Sequence, residues 1–567
     1  MPHEAALKNA AARCRERGVS IPTFAQLRDP ARISATIRER LAAVGLWDVD
    51  PLNLFRITWK NEPAARGGGF NDGNWLEFPS ALTGVEARIV GLLGKWFPTG
   101  AHKVGAAFGC LVPRLVAGEF DPTTQSAVWP STGNFCRGGA YDCALLGCTP
   151  VAILPQEMSA ERFDWLRSIG AEVIATPGCE SNVKEIYDKC WEIRRTRPDC
   201  VIFNQFEEFG NAVWHYHCTG AVIAEVFERL ARANTGQAPR RPGALAEARA
   251  LEAPAESPAG ARRTAPDAAA LAGARGSEAL AGARGSEALA GARGSEALAG
   301  ARGSEGRLGA GKGGLRLAAF VSATGSAGTI AAGDCLRTRH PDARVVAAEA
   351  LQCPTLLSCG FGGHRIEGIG DKHVPWIHNV RNTDLVVAVD DAQCLALMRL
   401  FNEDAGRACL ERAGVARGVV DQLPDVGISG ICNLVAAIKT AKWYELDRRD
   451  VIFTPLTDSM ELYASRLLEQ RSQHGAYNAE AAARHFGRYL EGAGADHARE
   501  LGYRDRKALH NLKYFTWVEQ QGRTVEELER LWDPDFWTET YAQADEWDQR
   551  IEAFNRAVAA PRSASAS

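Results

Sequence analysis

Short apolar runs alternate with longer amphipathic stretches along most of this chain. The apolar runs have the size of strands, and the stretches between them suit helices of roughly 10 to 15 residues. Strands separated by such helices form parallel β-α-β units, so the pattern predicts an α/β fold. The predicted strands are residues 127–130, 151–155, 172–176, 200–204, 317–322, 344–350 and 451–456. The predicted helices are residues 138–147, 159–169, 183–195 and a helix that begins at Thr329.

One long segment lacks this pattern. Residues 231–314 are dominated by Ala, Gly, Arg, Pro, Ser and Glu and contain no aromatic residue, and the nonapeptide ALAGARGSE is repeated four times in tandem over residues 270–305. Without large apolar side chains a segment cannot offset the entropy lost on ordering its backbone, so we predict that it is disordered. It is either a surface insertion without a function of its own or a regulatory or partner-binding segment.

Charge and cysteine usage exclude several classes of protein. The 567 residues carry 65 Lys and Arg against 69 Asp and Glu, a net charge of −4, whereas a nucleic-acid-binding protein would show a basic face. No run approaches the roughly 20 apolar residues that span a bilayer. The first 18 residues lack the apolar segment of a secretory signal, so we expect a cytoplasmic protein. The 15 cysteines include no CxxC pair and the 12 histidines no HExxH, so we predict neither a disulfide framework nor a metal site.

Two turns in the first half of the chain carry candidate chemistry, and in α/β folds ligands bind in the turns that follow strands. Lys103 lies among small residues in the segment 98–108. A lysine that loses its water becomes a good Schiff-base nucleophile, although a surface lysine before a helix would look the same. Residues 131–134 (Ser-Thr-Gly-Asn) open a predicted helix, whose free N–H groups either hold a carboxylate or are capped by these side chains.

Two further turns lie beyond the repeat segment. Residues 325–329 (Gly-Ser-Ala-Gly-Thr) form either a nest of backbone donors for a phosphate or a tight strand-to-helix turn. They match neither GxGxxG nor a Walker A sequence, so a dinucleotide or ATP site is unsupported. Thr457, Asp458 and Ser459 follow the last predicted strand, and either present a hydroxyl or carboxylate at the mouth of the sheet or cap a helix with Glu461 in its first turn.

In their order along the chain these turns resemble the fold-type II pyridoxal-phosphate enzymes, the family of cysteine synthase, threonine synthase and the tryptophan synthase β-subunit. A Pro-Thr-Gly-x-x-Lys segment comes first, then Ser-x-Gly-Asn, then a glycine-rich turn ending in Gly-Thr, and last Asp-Ser before Glu-x-Tyr. The resemblance covers roughly residues 80–230 and 315–470. Supporting matches are GCTPVAILP…SIGAEVIAT (147–176), FNQFEEFGN…CTG (203–220), GHRIEGIGDKHVP (363–375) and GISG (427–430).

The resemblance implies two doubly wound parallel-sheet domains with pyridoxal 5'-phosphate in the cleft between them. Lys103 would form the Schiff base and then act as base and acid at the substrate Cα, and Asn134 would contact the cofactor 3'-oxygen. Ser459 matches the position that meets the pyridine nitrogen, and a shift of one residue would put Asp458 there instead. The phosphate would lie on Gly325, Ser326, Ala327, Gly328 and Thr329. The substrate carboxylate would be held by Ser131, Thr132, Gly133 and Phe135, with Gln205 nearby.

This family likeness also implies a reaction class. A neutral hydroxyl at the ring nitrogen weakens the electron sink, which favours expulsion of a β-substituent over racemisation or transamination. We expect β-elimination or β-replacement on a small L-amino acid, by a cysteine desulfhydrase-like lyase or a cysteine synthase-like transferase. The sequence does not separate the two. The alternatives are a serine or threonine deaminase and a non-catalytic scaffold. Tryptophan synthesis is not expected, because the substrate turn lacks the acidic residue of tryptophan synthase.

The same likeness implies a small amino-acid substrate and a homodimer. The charge balance and the lack of long apolar runs predict neither a nucleic-acid nor a membrane partner. Cys136, within the carboxylate turn, is either a buried small residue or a substrate-sensing or persulfide-carrying thiol. We divide the chain into an N-terminal extension (1–79), a first part of the cofactor domain (80–230), the low-complexity insert (231–314), a second part of the cofactor domain (315–470) and a helical C-terminal extension (471–567).

Overall fold

Two β-sheets with helices packed around them make up the described part of this computed structural model, which comprises residues 2–131, 133–179, 182–234, 314–370 and 372–560. Nearly all of the predicted insert falls outside these residues, as does Thr132, so the disorder of the insert stays a prediction. The strands are β1 (Trp75–Phe78), β2 (Arg88–Leu93), β3 (Ser126–Pro130), β4 (Thr149–Pro155), β5 (Glu172–Thr176), β6 (Cys200–Ile202), β7 (Arg316–Ala323), β8 (Arg344–Ala350), β9 (Leu385–Val389), β10 (Asp450–Leu456) and β11 (Ala498–Glu500).

Helices occupy most of the remaining described chain. They are α1 (Pro2–Glu16), α2 (Phe24–Arg28), α3 (Ala35–Leu41), α4 (Ser80–Thr83), α5 (Lys103–Ala117), α6 (Asn134–Leu146), α7 (Ala160–Ser168), α8 (Val183–Thr196), α9 (Phe209–Trp214), α10 (Gly220–Asn234), α11 (Ala331–Arg339), α12 (Thr355–Ser358), α13 (Asp391–Asn402), α14 (Asp404–Arg412), α15 (Arg417–Val420), α16 (Ile428–Trp443), α17 (Ala464–His474), α18 (Ala479–Phe486), α19 (Tyr503–Lys513), α20 (Val525–Arg530) and α21 (Pro534–Ala559).

The smaller sheet has the order β5-β4-β3-β6, and all of its pairings are parallel. The larger sheet has the order β1-β2-β10-β7-β8-β9-β11. Its five central strands are parallel, and β1 and β11 pair antiparallel at the two edges. Each of the seven predicted strands is present, so the predicted α/β class is confirmed.

Sheet membership does not follow the order of the chain. Strands β1 and β2 precede the smaller sheet in sequence, yet β2 pairs with β10 in the larger one. The chain therefore enters the larger sheet, leaves it to build the smaller one, and returns at β7. Strands β3, β7 and β10 lead directly into three of the four turns predicted from the sequence, so both sheets contribute turns to the same region.

The C-terminal helices pack on the first part of the chain. Helix α21 contacts α1, α2, α5 and α9, and it buries Trp537, Ile551 and Phe554 in the core that contains the buried face of α5. Burial of a side chain of this size contributes roughly 1.5–3 kcal/mol. The aromatic residues of the tail are thus part of the core that supports the helix beginning at Lys103.

Candidate active site

Lys103 is the first residue of α5 and is buried, with 9% of its surface exposed. Its Nζ donates a hydrogen bond to Ser326 Oγ over 3.0 Å. The same hydroxyl oxygen accepts from Asn211 Nδ2, also over 3.0 Å. The fold therefore joins the lysine to the glycine-rich turn that follows β7, and Asn211 on α9 fixes the serine between them.

Two small cavities meet at Lys103, and both are also lined by Gly325, Gly368, Ile369 and Thr457. Most of the residues predicted for the site line one cavity or the other. The first is additionally lined by Ser131, Asn134, Phe135, Gln205, Phe206 and Ser326, and the second by Ser322, Ala323, Ala327, Thr329, Asn433 and Pro455. The turns after β3, β7 and β10 thus converge on one lysine, as ligand sites of parallel sheets do.

The turn after β3 is built around Gly133. This glycine has φ 148° and ψ −78°, a conformation that side chains disfavour, and a Cβ there would lie 1.8 Å from a guanidinium nitrogen of Arg162. Ser131 Oγ accepts the backbone N–H of Gly133 over 3.1 Å. The described part of this turn is therefore closely packed against a buried cation.

Cys136 lies one turn into α6, fully buried, and its Sγ donates to the carbonyl of Gly133 over 2.9 Å. Burial raises the pKa of this thiol to about 12, and the charges of Arg162 and Arg137 only partly oppose it. A thiol in that state is not ionised near neutral pH and is a poor nucleophile. The structure thus favours the buried small residue over the persulfide carrier.

The turn after β7 is held in an unusual backbone conformation. Ala327 has φ 61°, in the left-handed region that non-glycine residues rarely adopt. A Cβ at Gly328 would lie 1.9 Å from Asn211 Oδ1, and one at Gly325 would lie 3.0 Å from the carbonyl oxygen of Gly368. Successive N–H groups in such a turn form an anion-binding concavity, and only glycine fits at position 328.

Two buried histidines flank Lys103 and the glycine-rich turn at 325–329. The rings of His102 and His215 are 5.0 Å apart, and Nε2 of each lies 3.4 Å from Thr329 Oγ1. Burial lowers the pKa of both imidazoles well below its usual value, and the charge of Lys103 lowers it further. Both rings are therefore neutral at physiological pH, and they contact Thr329 without adding charge.

The turn after β10 carries the two rival positions of the sequence analysis. Asp458 is fully buried, and its Oδ2 accepts from Asn134 Nδ2 over 2.6 Å and from the Tyr463 hydroxyl over 2.7 Å. Ser459 is also buried, but it is Thr457 of this turn that lines the two cavities. The role predicted for Ser459 is not tested by this geometry and stays a prediction.

A buried ion pair connects the two sheets behind the turn after β3. Arg162 on α7 and Glu367 have side chains 0% and 2% exposed, with Nε and Oε2 3.1 Å apart. Arg162 also donates to the Tyr463 hydroxyl over 2.9 Å, and Arg466 Nε donates to Glu367 Oε1 over 2.6 Å. Arg162 is thus held in place on one side by a carboxylate and on the other by a phenol.

Glu367→Ala is expected to lower the free energy of unfolding by about 3–5 kcal/mol, because it leaves the buried Arg162 without its carboxylate. Urea unfolding followed by circular dichroism measures the loss. Glu172, which pairs with Arg197 at 2.8 Å and is 49% exposed, offers a matched control. Its replacement by alanine should cost at most about 1 kcal/mol, and equal losses for the two variants would contradict the buried-pair argument.

Several residues of the site were not assigned a role from the sequence. Asn211 and Gly368 contact or line it, and they lie in the segments 203–220 and 363–375 that the resemblance covers. Thr457 belongs to the turn that was predicted to present a hydroxyl or carboxylate at the mouth of the sheet, and it lines both cavities. Arg162 had no signal beyond its residue type, since its partners Glu367 and Tyr463 are hundreds of residues away. Tyr463 is the tyrosine of the Glu-x-Tyr match, but its contacts with Asp458 and Arg162 could not be read from that match. Thr132 lies outside the described residues.

A larger cavity, of about 570 Å³, lies on another face of α5 and α9, lined by residues that include Arg114, Glu208, Glu207 and Arg523. Its charges are largely paired, Arg114 with Glu208 at 2.5 Å and Arg523 with Glu207 at 2.9 Å. None of the predicted site residues lines it. We therefore place the candidate active site at Lys103, where buried polar groups converge, and not in the larger cavity.

Neither a metal cluster nor a membrane-spanning helix occurs in the part of the chain that the structure describes. No group of three or more His, Cys, Asp or Glu side chains is arranged to hold a metal ion within it. None of its helices is both long enough and apolar enough to cross a membrane.

Comparison with known proteins shows what this chain is similar to. No protein-family model matches it. It is 22% identical over 369 residues to a probable cysteine synthase of Bacillus subtilis, which covers 65% of this chain and 85% of that protein. It is 28% identical over 156 residues to cystathionine beta-synthase of Saccharomyces cerevisiae, covering 27% of this chain and 31% of that protein. Among solved structures, a hydrogen sulfide-producing enzyme of Fusobacterium nucleatum is 19% identical with a TM-score of 0.47, over 76% of this chain and 93% of that one.

Both sequence matches are to enzymes of the group that the order of the four turns resembles, the cysteine synthases and their relatives. The B. subtilis match spans most of that protein, while the chain spans only about a third of the yeast protein. The resemblance read from the sequence is confirmed: this chain is a relative of the cysteine synthases and cystathionine beta-synthases, which are fold-type II pyridoxal-phosphate enzymes.

Proposed function

We propose that this protein is a pyridoxal-phosphate-dependent enzyme that removes or replaces the β-substituent of a small L-amino acid. The observation that carries the proposal is the meeting of a buried lysine with the polar turns of both sheets, through the bond from Lys103 to Ser326. The leading substrates are L-cysteine and O-activated L-serine, and the enzyme is a cysteine desulfhydrase-like lyase or a cysteine synthase-like transferase.

The residues present fit the cofactor. Asn134 Oδ1 is buried and has no partner among the described residues, although its residue lines the cavity at Lys103. The turn at 325–329 has the left-handed Ala327 and the tightly packed Gly328 of an anion cradle. A lysine amine, an unsatisfied polar side chain and an anion cradle around the two cavities that meet at Lys103 match the three ends of pyridoxal phosphate. The cofactor, when bound, would supply the electron sink for a carbanion at the substrate Cα.

Lys103 would attach the cofactor and then move the proton at the substrate Cα. The turn after β3 would hold the substrate carboxylate through Ser131, Thr132, Gly133 and Phe135, with Gln205 beside them. Asn134 would contact the 3'-oxygen, and the phosphate would lie on Gly325, Ser326, Ala327, Gly328 and Thr329. Ser459 is proposed for the pyridine nitrogen. We further propose a homodimer, from the resemblance, and a cytoplasmic protein with no nucleic-acid or membrane partner, from the N-terminal residues, the charge balance and the lack of long apolar runs.

Elimination and replacement differ in what happens after the β-substituent leaves. Elimination from cysteine consumes water and gives pyruvate, ammonia and sulfide. Replacement on O-acetyl-L-serine consumes sulfide and gives cysteine and acetate. The same residues serve both, so the two remain equal candidates, and deamination of serine or threonine is the alternative within the same chemistry.

The purified full chain should show a visible absorbance band after incubation with pyridoxal phosphate, and the band should shift on addition of one of L-cysteine, L-serine or O-acetyl-L-serine. Product assays then assign the reaction: pyruvate with sulfide indicates elimination, and cysteine formed from O-acetyl-L-serine and sulfide indicates replacement. Absence of the band at saturating cofactor would refute the enzyme and favour a scaffold protein of the same fold.

A further inference from the structure

A chain of polar contacts, one ion pair followed by three hydrogen bonds, runs from Glu367 to the cavity at Lys103. It begins at Glu367, which holds Arg162, and continues through the Tyr463 hydroxyl to Asp458 and on to the side-chain amide of Asn134. The successive distances are 3.1, 2.9, 2.7 and 2.6 Å. All five side chains are buried, and Asn134 is the one that lines the cavity.

The direction of donation along this chain is fixed by its arginine. An arginine only donates, so the Tyr463 oxygen accepts from Arg162 and its own hydrogen points to Asp458. Asp458 Oδ2 is then an acceptor, and Asn134 meets it with the NH₂ group. The Asn134 carbonyl oxygen is left without a partner among the described residues. A buried amide that could rotate by 180° is thus held in one orientation.

The groups around Asp458 oppose the effect of its burial, which on balance leaves the pKa of this carboxyl raised. Its Oδ1 faces the first turn of α16, where a Cβ at Gly427 would lie 1.9 Å away, and the N-terminal end of a helix stabilises a carboxylate. Burial raises the pKa of Asp458, while Arg162, Tyr463, Asn134 and Arg137 each lower it. Two cations and two hydrogen-bond donors therefore face this one carboxylate.

We propose that Asp458 is a positioning residue for the cofactor site: it orients the Asn134 amide, so that the amide carbonyl and one N–H are presented to the ligand bound at Lys103. This inference rests on the proposed function and adds a residue that acts through Asn134 rather than on the ligand itself. It also gives a role to the carboxylate that precedes Ser459. Asp458 would bind the Asn134 amide rather than contact the pyridine ring itself.

Asp458→Asn tests the proposal. A carboxylate can only accept from the NH₂ group of Asn134, whereas an asparagine side chain at position 458 can pair with either the NH₂ group or the carbonyl oxygen of Asn134. The dissociation constant for pyridoxal phosphate, measured by titration of the full chain, should rise about tenfold or more, as expected for a lost hydrogen bond to a charged group. The position of the visible band should also change, because the contact at the 3'-oxygen alters. Tyr463→Phe keeps the carboxylate and removes one of its two donors, so it should produce a smaller shift of the same sign.

The chain supplies a matched control. Asp334 is likewise buried and accepts from a tyrosine and an asparagine, Tyr541 over 2.7 Å and Asn379 over 2.8 Å, but it does not line the cavities at Lys103. Asp334→Asn should lower thermal stability. It should leave the visible band unchanged and the cofactor dissociation constant within about twofold of the wild-type value, since a change confined to packing shifts binding by only a few tenths of a kcal/mol.

These measurements distinguish a failure of the role proposed for Asp458 from a failure of the proposed enzymatic function. If Asp458→Asn melts earlier but binds the cofactor with the wild-type constant and band, Asp458 is only structural and the inference is overturned. If the wild-type chain itself shows no band that depends on Lys103, the proposed function fails first. A wild-type band with the loss of affinity confined to Asp458→Asn and Tyr463→Phe supports both.

Discussion

Lys103→Ala is expected to abolish the visible band and to lower kcat/KM by at least about 10³-fold, since general acid–base transfer by a single group alone contributes roughly 10²–10⁴-fold. The reason is that one amine is proposed for two tasks, attachment of the cofactor and movement of the proton at Cα. Its side chain is buried against Ser326, so no other described lysine is placed to replace it at that hydroxyl.

Two companion variants make this result specific. Lys103→Arg keeps the positive charge but offers a guanidinium, which is not a useful nucleophile, so it should be as inactive as the alanine variant. Lys439 is a buried lysine of α16 whose Nζ donates to the carbonyl of Asp496 over 2.9 Å. Lys439→Met should retain the band. A band of undiminished intensity in Lys103→Ala would show that the cofactor is bound through another residue.

The strands that flank the site could be predicted because their signal is local. Strands β5 and β8 have the predicted bounds, 172–176 and 344–350, and the turns after β3, β7 and β10 each follow a largely buried apolar strand. In contrast, β1 and β11 were missed, since they are short edge strands with only partial burial. Strand β9 is buried throughout, and a short apolar run of that kind has no periodicity that separates it from a helix.

Some residues of the candidate site could likewise be predicted from local sequence patterns, and others could not. Lys103, Asn134 and the turn at 325–329 could be found because small and polar residues cluster within a few positions, and their order along the chain matches a known family. The Arg162–Glu367 pair joins residues 205 positions apart (367 − 162), and Asn134 meets Asp458 324 positions away. No local pattern encodes such a pairing, because it is created by the packing of one sheet on the other.

A sequence motif alone does not determine whether Asp458 or Ser459 acts on the cofactor. Both follow β10 and both are buried, so their residue types and spacing allow either one to act on the cofactor. What distinguishes Asp458 is its contact with Asn134 and Tyr463, which depends on side-chain geometry. A one-residue difference in register therefore changes the chemistry proposed for the turn, and only three-dimensional contacts separate the alternatives.

Gly133→Ala is expected to lower kcat/KM by about 10²-fold or more, because a displacement of about 1 Å in substrate-positioning groups has effects of that size. The added Cβ would lie 1.8 Å from Arg162 Nη1 and 2.7 Å from its Cζ, far inside van der Waals contact. Arg162 cannot move aside at low cost, since Glu367 and Tyr463 hold it from two directions. The turn that is proposed to hold the substrate carboxylate must therefore shift.

Backbone strain and side-chain collision can be separated with a second glycine. Gly414 has φ +89°, and no heavy atom lies within 4 Å of the position that a Cβ would take there, so Gly414→Ala carries the conformational cost without a clash. That cost is on the order of 1–2 kcal/mol in stability, and it should leave kcat/KM unchanged. If Gly133→Ala loses stability by the same amount and keeps its activity, the turn after β3 does not position the substrate. A loss of activity in Gly133→Ala well beyond that of Gly414→Ala, with an unchanged visible band, would place the defect in substrate binding and leave the attachment of the cofactor at Lys103 intact.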